Sequence, residues 1–201
     1  KDKSPVNDCN VIGSKSDIPA LKGTGSVLNS DDLGKFYHTD IADILRQVPG
    51  VYVRPEEGYG LFPNISIRGT DPNRSQKVTI LEDGIPASPS PFSAPAAYYS
   101  PTAGRMAGFE ILKGSSQLKY GPNNSGGVIN YLSTPIPQEQ SSYFRGSYAE
   151  HNTKIAHAYS GGKLDFAGGK LGYLLEVFDQ RTDGWKSIEN DYTASGGIYK
   201  G

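Results

Sequence analysis

The first third of the chain carries one clear helical pattern of apolar residues. Thr39 can cap a helix and Pro49-Gly50 ends one. Between them, apolar side chains recur at Ile41, Ile44, Leu45 and Val48. This i, i+3, i+4, i+7 spacing places all four on one face of a helix. A shorter helical turn is predicted ahead of it, where Ser30-Asp31-Asp32 supplies a cap and two acids.

Short β-prone segments follow one another up to residue 132, separated by glycine- and proline-rich turns. The predicted strands are Ser26–Leu28, Val51–Val53, Ile65–Gly69, Lys77–Glu82, Phe109–Lys113 and Gly127–Leu132. Asp83-Gly84 predicts a tight turn, and Ser115 or Ser116 can cap one helical turn through Tyr120. Short strands mixed with short helices predict an α+β domain with a small mixed sheet over residues 25–137, after an irregular, flexible extension at 1–24.

After Gln140 the predicted strands are longer and richer in aromatic residues. They cover residues 141–149, 153–165, 170–181 and 191–200, and the connections between the first three are short, which predicts antiparallel hairpins. One face of the third strand is apolar, with Leu171, Tyr173, Leu175 and Val177. Glu176 lies on the other face. This alternation favours a membrane β-barrel, and a soluble β-sheet is the alternative.

Composition narrows the classes of protein. Hydrophobic residues make up 36% of the 201 residues, and no apolar run reaches the roughly 18 residues that a transmembrane helix needs. The net charge of -1 gives no indication of nucleic-acid binding. A single cysteine, Cys9, excludes an internal disulfide and a cysteine-based metal site. The opening Lys1-Asp2-Lys3 has no apolar core of a signal peptide, so either one has been removed or none exists.

No pattern of catalytic residues is present, and we predict that the protein is not an enzyme. The three histidines, His38, His151 and His157, lack metal-ligand spacing. The sequence contains no nucleophile elbow, P-loop or dinucleotide fingerprint. Glu82 and Asp83 are adjacent in a strand and its turn, so they point to opposite faces and do not form an acid–base pair.

Five strings in order resemble the plug domain of TonB-dependent outer-membrane receptors. They are Ile44–Val51, Ile65–Gly69, Ile80–Pro86, Phe109–Gly114, and Leu118–Gly121 leading to Gly126–Asn130. The match covers about residues 8–137. It implies a plug domain, with the first strands of an incomplete transmembrane β-barrel at 138–201. Because the smallest membrane barrels have about eight strands and four are predicted, we expect a fragment of a longer receptor.

The resemblance also implies a TonB box near the N-terminus. Its candidate residues are Asp8, Cys9, Asn10, Val11, Ile12 and Gly13. A segment that pairs as an added strand needs exposed backbone and few bulky groups, and this one fits. The alternative is that Val11-Ile12 merely packs on the plug.

Two basic residues correspond to positions where family members carry charges that face acidic barrel residues. Arg68 and Lys113 are therefore candidates for a plug–barrel charge lock. Lysine stands where arginine is usual in the second string, and it lacks the bidentate fork of a guanidinium. The alternative is a pair of solvent-facing charges at strand ends.

The ligand is expected at two apical loops, residues 54–63 and 87–99. Long loops of this kind inside a compact domain are often functional. The candidate ligand-binding residues are Arg54, Tyr59, Phe62, Phe92, Tyr98 and Tyr99. Arg54 would meet an anionic chelate and the aromatic residues would form walls. The alternative is that these aromatics only pack the loops.

Taken together, the resemblance implies a receptor for a ferric siderophore or ferric citrate in the outer membrane of a Gram-negative bacterium. The implied partners are TonB with its inner-membrane energising complex, the ferric chelate and outer-membrane lipid, with no nucleic acid. No intrinsic cofactor or metal site is expected. The run Asp83–Pro86 followed by a proline-rich loop resembles the ferric-citrate receptor branch. Alternatives from other classes are a soluble β-rich binding or adhesion module and a polysaccharide-processing enzyme.

Overall fold

The computed structural model describes residues 12, 15–21, 23–56, 62–87, 100–121, 124–166 and 168–184. Two units follow one another along the chain, Lys1–Thr134 and Pro135–Gly201. In the described part of the chain, no helix combines the length and the apolar composition required to cross a membrane.

The described residues of the first unit form seven short strands and two short α-helices. The strands are β1 (Thr24–Leu28), β2 (Val51–Pro55), β3 (Pro63–Ile67), β4 (Val78–Glu82), β5 (Ile85–Pro86), β6 (Gly108–Lys113) and β7 (Gly127–Leu132). The helices are α1 (Ser30–Gly34) and α2 (Ile41–Leu45). Single 3₁₀ turns lie at Lys15–Ala20, Asn73–Ser75, Ala103–Arg105 and Ser115–Tyr120.

Five of these strands form one mixed sheet in the order β1-β6-β7-β4-β5, and β2 and β3 form a separate hairpin. Only β4 and β7 pair in parallel; β1–β6, β6–β7 and β4–β5 are antiparallel. The predicted α+β fold with a small mixed sheet and short helices is therefore confirmed.

The main core lies between one face of this sheet and the elements α2, β2 and β3. The helical pattern of the sequence predicted which face of α2 is buried, since Ile41, Ile44 and Leu45 all lie in this core. Phe109 and Tyr131 pack edge-to-face on the sheet with ring centroids 4.9 Å apart. Rings of this size contribute much of the apolar area that a core of short elements requires.

The opposite face of the sheet carries a smaller apolar cluster of Leu81, Leu112 and Val128. Alternate residues of a strand point to opposite faces of the sheet. The residues of this cluster therefore alternate along their strands with residues of the main core. Partly buried Ile12, Leu21 and Tyr120 pack against the cluster. Both faces of the sheet are thus covered by apolar side chains.

The turn between β4 and β5 is the one that the sequence predicts. Asp83 and Gly84 both have positive φ, 50° and 80°. Leu81 pairs with Pro86 and Glu82 with Ile85, which leaves a two-residue hairpin loop. Two positive φ values at such a loop define a type I′ turn, for which Asp-Gly is a favoured pair.

Both predicted α-helix starts are wrong by one residue. Asn29, not Ser30, caps α1, because its side chain accepts from Asp32 N while Asp32 accepts from Asn29 N. Asp40, not Thr39, caps α2. In each case the capping residue is the one at which the extended backbone turns into the helix. Its side chain can therefore reach the free amides of the first helical turn.

Three further predictions need correction. The strand predicted over Ile65–Gly69 ends at Ile67, so Arg68 lies in a turn at φ 55°. The turn at Ser115–Tyr120 is preceded by Gly114, whose N–H donates to Gln117 Oε1 at 3.0 Å, with no serine cap. The predicted irregular extension contains the 3₁₀ turn Lys15–Ala20, and the Lys15 ammonium donates to Asp32 Oδ2 at 2.5 Å.

We expect Asp40→Ala to destabilise α2 by about 1 kcal/mol, because Asp40 Oδ1 accepts from Ala42 N at 2.7 Å and alanine leaves that amide without its cap. Faster amide exchange of the Ile41–Leu45 peptide is the measurement. Asp43→Ala is the matched control, since Asp43 bonds to Arg46 on the helix surface and not to a free amide. Equal effects of the two changes would contradict the capping role.

The described part of the second unit forms a three-stranded antiparallel sheet in the order β10-β9-β8. Its strands are β8 (Ser141–Ala149), β9 (Thr153–Phe166) and β10 (Gly169–Arg181). The first three predicted strands therefore form antiparallel hairpins. The fourth, predicted at 191–200, lies outside the described residues.

Candidate functional site

Of the six residues predicted to form the TonB box, the described part of the chain includes Ile12 alone. The other five, Asp8, Cys9, Asn10, Val11 and Gly13, lie outside it. The Ile12 N–H donates to Glu110 Oε1 at 2.9 Å. Its side chain packs on the cluster of Leu81, Leu112 and Val128. Ile12 therefore lies on the sheet, which is the packing alternative for this residue, while its role toward a partner stays a prediction.

The carboxylate that accepts from Ile12 is buried within the sheet. Glu110 is 1% exposed, and its Oε2 accepts from Asn130 Nδ2 at 2.9 Å. Asn130 Oδ1 in turn accepts from Gly84 N at 2.8 Å. A continuous set of hydrogen bonds thus joins Ile12 to the Asp83-Gly84 turn.

Arg68 and Lys113, the predicted charge-lock residues, lie close together at one end of the first unit. Lys113 pairs with Thr24 across β1 and β6, and the Arg68 guanidinium donates to Thr24 Oγ1 at 3.1 Å. The Lys113 ammonium donates to Pro49 O at 2.9 Å and to Ser26 Oγ at 3.2 Å. The structure therefore brings the two cations to the same small region.

The environments of the two cations differ. Arg68 is exposed in its turn, whereas Lys113 is 5% exposed. The predicted alternative, a solvent-facing charge, therefore holds for Arg68 and not for Lys113. Burial lowers the pKa of Lys113, and the neighbouring Arg68 charge lowers that pKa further. Among the ion pairs between described residues, neither cation takes part. A carboxylate brought to this region would stabilise both charges.

Arg54 and Phe62 lie at the same end of the β2–β3 hairpin. Arg54 pairs with Asn64, Pro55 pairs with Pro63, and Phe62 precedes that last pair. Both side chains are exposed. Arg68 follows the other end of β3, so the strand separates the predicted ligand end from the predicted lock by roughly 13 Å at about 3.3 Å per residue. Tyr59, Phe92, Tyr98 and Tyr99 lie outside the described residues.

The two faces of the second unit differ in chemistry. The apolar face predicted for β10 is exposed, with Leu171 at 55%, Leu175 at 63% and Val177 at 50%. Phe144 and Tyr148 of β8 are exposed as well, at 78% and 75%.

On the opposite face, His157 Nε2 lies 2.8 Å from Glu176 Oε1. The His157 ring packs against Tyr143 and Phe178 at centroid distances of 5.4 and 5.8 Å. The apolar face of this sheet is thus exposed, while side chains on the opposite face contact one another.

No group of histidine, cysteine or acidic residues in the described ranges is arranged to hold a metal ion. Glu82 pairs with Arg105, and Asp83 Oδ1 accepts from Ser133 N at 2.9 Å. Both acids at the β4–β5 turn therefore have structural partners.

Glu110 and Asn130 are absent from the predicted site residues, although the sequence carries a signal for both. Each is a polar residue inside an apolar strand, between Phe109 and Ile111 or between Ile129 and Tyr131. A polar side chain at such a position must find a hydrogen-bond partner when the strand is buried on both faces. The sequence therefore predicts that each side chain has a partner but does not identify it. The register of β6 and β7 is needed to place Glu110 beside Asn130.

An α+β unit on a small mixed sheet, followed by long antiparallel strands with an exposed apolar face, is the organisation of a plug-type receptor segment. Residues 19–128, more than half of the chain, match the family described as the TonB-dependent receptor plug domain. The chain therefore belongs to the family of TonB-dependent receptors that carry this domain.

Three solved structures with a similar fold are named as receptors or transporters. The ferric citrate transporter FecA in its unliganded form is 23% identical with a TM-score of 0.61, over 84% of this chain and 33% of that one. The ferric yersiniabactin uptake receptor FyuA from Yersinia pestis is 22% identical with a TM-score of 0.65, over 83% and 25%. The siderophore receptor PirA from Acinetobacter baumannii is 23% identical with a TM-score of 0.58, over 83% and 25%. The chain thus spans about a quarter to a third of the length of these proteins.

Proposed function

We propose that this chain is the N-terminal part of an outer-membrane receptor that takes up a ferric siderophore or ferric citrate with energy supplied through TonB. The observation that carries the proposal is the family match of residues 19–128, directly followed by long antiparallel strands with an outward apolar face. Outward leucine, valine and aromatic side chains suit contact with lipid. The receptor therefore resides in the outer membrane of a Gram-negative bacterium.

TonB engages the segment at residues 8–13 by pairing with it as an added strand. Such pairing uses backbone amides and carbonyls, and the chemistry of the side chains matters less. The energy comes from the inner-membrane complex that acts on TonB, so the receptor needs no cofactor of its own.

Arg68 and Lys113 hold the plug in place through acidic residues of the barrel. The support is electrostatic: a buried ammonium and an exposed guanidinium stand side by side, and burial and mutual repulsion both disfavour the charged lysine. Facing carboxylates offset both costs. Pairs of this kind separate without disturbing an apolar core, which suits a plug that rearranges during transport.

The ligand is an iron chelate, bound by the apical loops of the plug and by barrel loops. The support comes from the names of the similar structures, which refer to ferric citrate, ferric yersiniabactin and siderophores. Arg54 contacts the anionic chelate, and Phe62 with the aromatic residues of the second loop, Phe92, Tyr98 and Tyr99, forms walls around it. Tyr59, in the same predicted loop as Phe62, has the same proposed role.

Titration of the complete receptor with ferric citrate, other ferric siderophores, cobalamin and nickel chelates tests this function. We expect saturable binding of one ferric chelate, and about a tenfold loss of affinity in Arg54→Ala, because a hydrogen bond to a charged group is removed. Arg46→Ala is the matched control, since Arg46 is an exposed arginine that pairs with Asp43 on α2. Binding of cobalamin or a nickel chelate alone would contradict the proposed ligand class.

A further inference from the structure

Glycines lie inside the two longest strands of the described residues, Gly161 in β9 and Gly172 in β10. Glycine weakens a strand because it has no side chain to pack and loses more backbone entropy than other residues. A glycine inside a strand therefore often marks the close approach of another part of the chain. Here the approaching part is the linker, residues 135–140, which connects the first unit to β8.

Each of these glycines leaves room for one side chain of the linker. A Cβ at Gly172 would lie 3.3 Å from both Cδ1 and Cγ2 of Ile136, and a Cβ at Gly161 would lie 3.1 Å from Pro137 Cδ. These distances are shorter than the carbon–carbon contact of about 3.5–4.0 Å at which attraction is greatest. A side chain at either position would therefore push the linker away from the strands.

A hydrogen bond fixes the linker beside Gly172. Lys163 pairs with Gly172 across β9 and β10, and Lys163 Nζ donates to Gln138 Oε1 at 2.7 Å. Cross-strand partners share a face of the sheet, and so do Gly161 and Lys163, which are two residues apart on β9. This face is the one that carries His157, and not the exposed apolar face. We call the patch formed by Gly161, Lys163 and Gly172 the linker seat.

The linker is stiff before it meets this patch. Pro135 and Pro137 each hold φ at about −65°, and each keeps the residue before it extended. A stiff segment loses little conformational freedom when it binds a surface. The contacts of the linker seat therefore act on a segment that already has the extended shape they require.

We propose that the linker seat is an anchor, which fixes the chain at the entrance to β8 while TonB pulls on its N-terminal end. The proposal rests on the proposed function, because only a receptor that is pulled puts tension on this connection. Parts of a protein open at different free energies, so a pull rearranges the weakly held segments first. With the linker held, rearrangement stays on the N-terminal side of residue 135. Without the linker seat, the linker itself moves and the opening becomes larger than uptake requires.

The mobility of the linker in the complete receptor tests the linker seat. A spin label on Glu139→Cys, in a Cys9→Ser background, reports this mobility by electron paramagnetic resonance, since Glu139 is exposed. In Gly172→Val the new side chain takes the place of Ile136, while valine suits a strand better than glycine, so β10 is not weakened. We expect the mobile fraction of the label to rise about fivefold, as for the loss of packing of one partly buried side chain. Gly146→Val is the matched control on β8, because a Cβ there would lie 3.8 Å from the nearest aromatic carbon, an ordinary contact.

A second variant leaves the glycines intact and removes the hydrogen bond. Lys163→Met loses the donor to Gln138, and we expect the mobile fraction to rise about threefold, whereas Lys163→Arg keeps a donor and holds the label. Lys154→Met is the matched control, since Lys154 is an exposed lysine on the other face of β9. A label that is mobile in the unaltered receptor, or equally held in Gly172→Val and Lys163→Met, overturns the linker seat.

The sensitivity of cells to vancomycin, a hydrophilic antibiotic too large for general porins, tests the role as an anchor. We expect cells that carry Gly172→Val to become severalfold more sensitive when TonB is present and to stay resistant when TonB is absent. A mobile linker without added sensitivity, or with equal sensitivity in cells that lack TonB, overturns the anchor. The proposed function is tested apart from this: if the unaltered receptor takes up its chelate without TonB, that function is wrong, while the mobility of the label still decides whether the linker is seated.

Discussion

We expect deletion of residues 8–13 to abolish uptake of the iron chelate by the proposed receptor and to leave its binding nearly unchanged. The physical reason is that the proposed pairing with TonB needs a strand of free backbone, whereas the predicted ligand residues lie elsewhere in the chain, between residues 54 and 99. The comparison is between transport of labelled chelate into cells and equilibrium binding to isolated outer membranes. Uptake in the variant should fall to the level of cells that lack TonB.

Deletion of residues 2–7 is the matched control, since it removes six residues from the same end and keeps the box. Val11→Pro is a second test at full length, because proline cannot donate to a partner strand and Val11→Ala can. The deletion also removes the Ile12 donor of Glu110, so the melting temperature must be measured beside uptake. Uptake that survives the deletion in a folded receptor means that the box lies elsewhere.

The sequence predicted most of the elements because its periodic signals are local. The apolar spacing of Ile41, Ile44 and Leu45 identifies the buried face of α2, and Asp83-Gly84 identifies the hairpin turn. The helix starts were off by one residue at Asn29 and Asp40, because neighbouring polar residues of similar capping propensity compete and only backbone geometry decides.

The rest depends on contacts between distant residues. The bond between Ile12 and Glu110 spans 98 positions, and the bond between Asn130 and Gly84 spans 46. Which oxygen meets which amide follows from strand order and register, which a periodic pattern does not encode. The burial of Lys113 also depends on distant residues, because its ammonium donates to Pro49 O across 64 positions of the chain, and β6 lies between β1 and β7 in the sheet.

We expect Leu175→Arg to prevent assembly of the proposed receptor in the outer membrane. Leu175 is 63% exposed on the apolar face of β10, beside Leu171 and Val177. If this face meets lipid, an arginine at mid-membrane depth costs about 2–4 kcal/mol. In a soluble sheet the same exposed site would accept arginine at almost no cost, because a surface charge remains hydrated. The substitution therefore separates a membrane receptor from a soluble β-rich binding module.

The measurement is the amount of folded receptor in outer-membrane fractions. Leu174→Arg is the matched control: Leu174 is the neighbouring leucine on the opposite face, which it shares with Glu176, so its side chain points away from the apolar face. If the apolar face of β10 contacts lipid, Leu175→Arg must reduce the amount of folded receptor more than Leu174→Arg does. Equal assembly of both variants, together with a folded product that stays in solution without detergent, would contradict membrane insertion, because an outward apolar face tolerates a charge only when water reaches it.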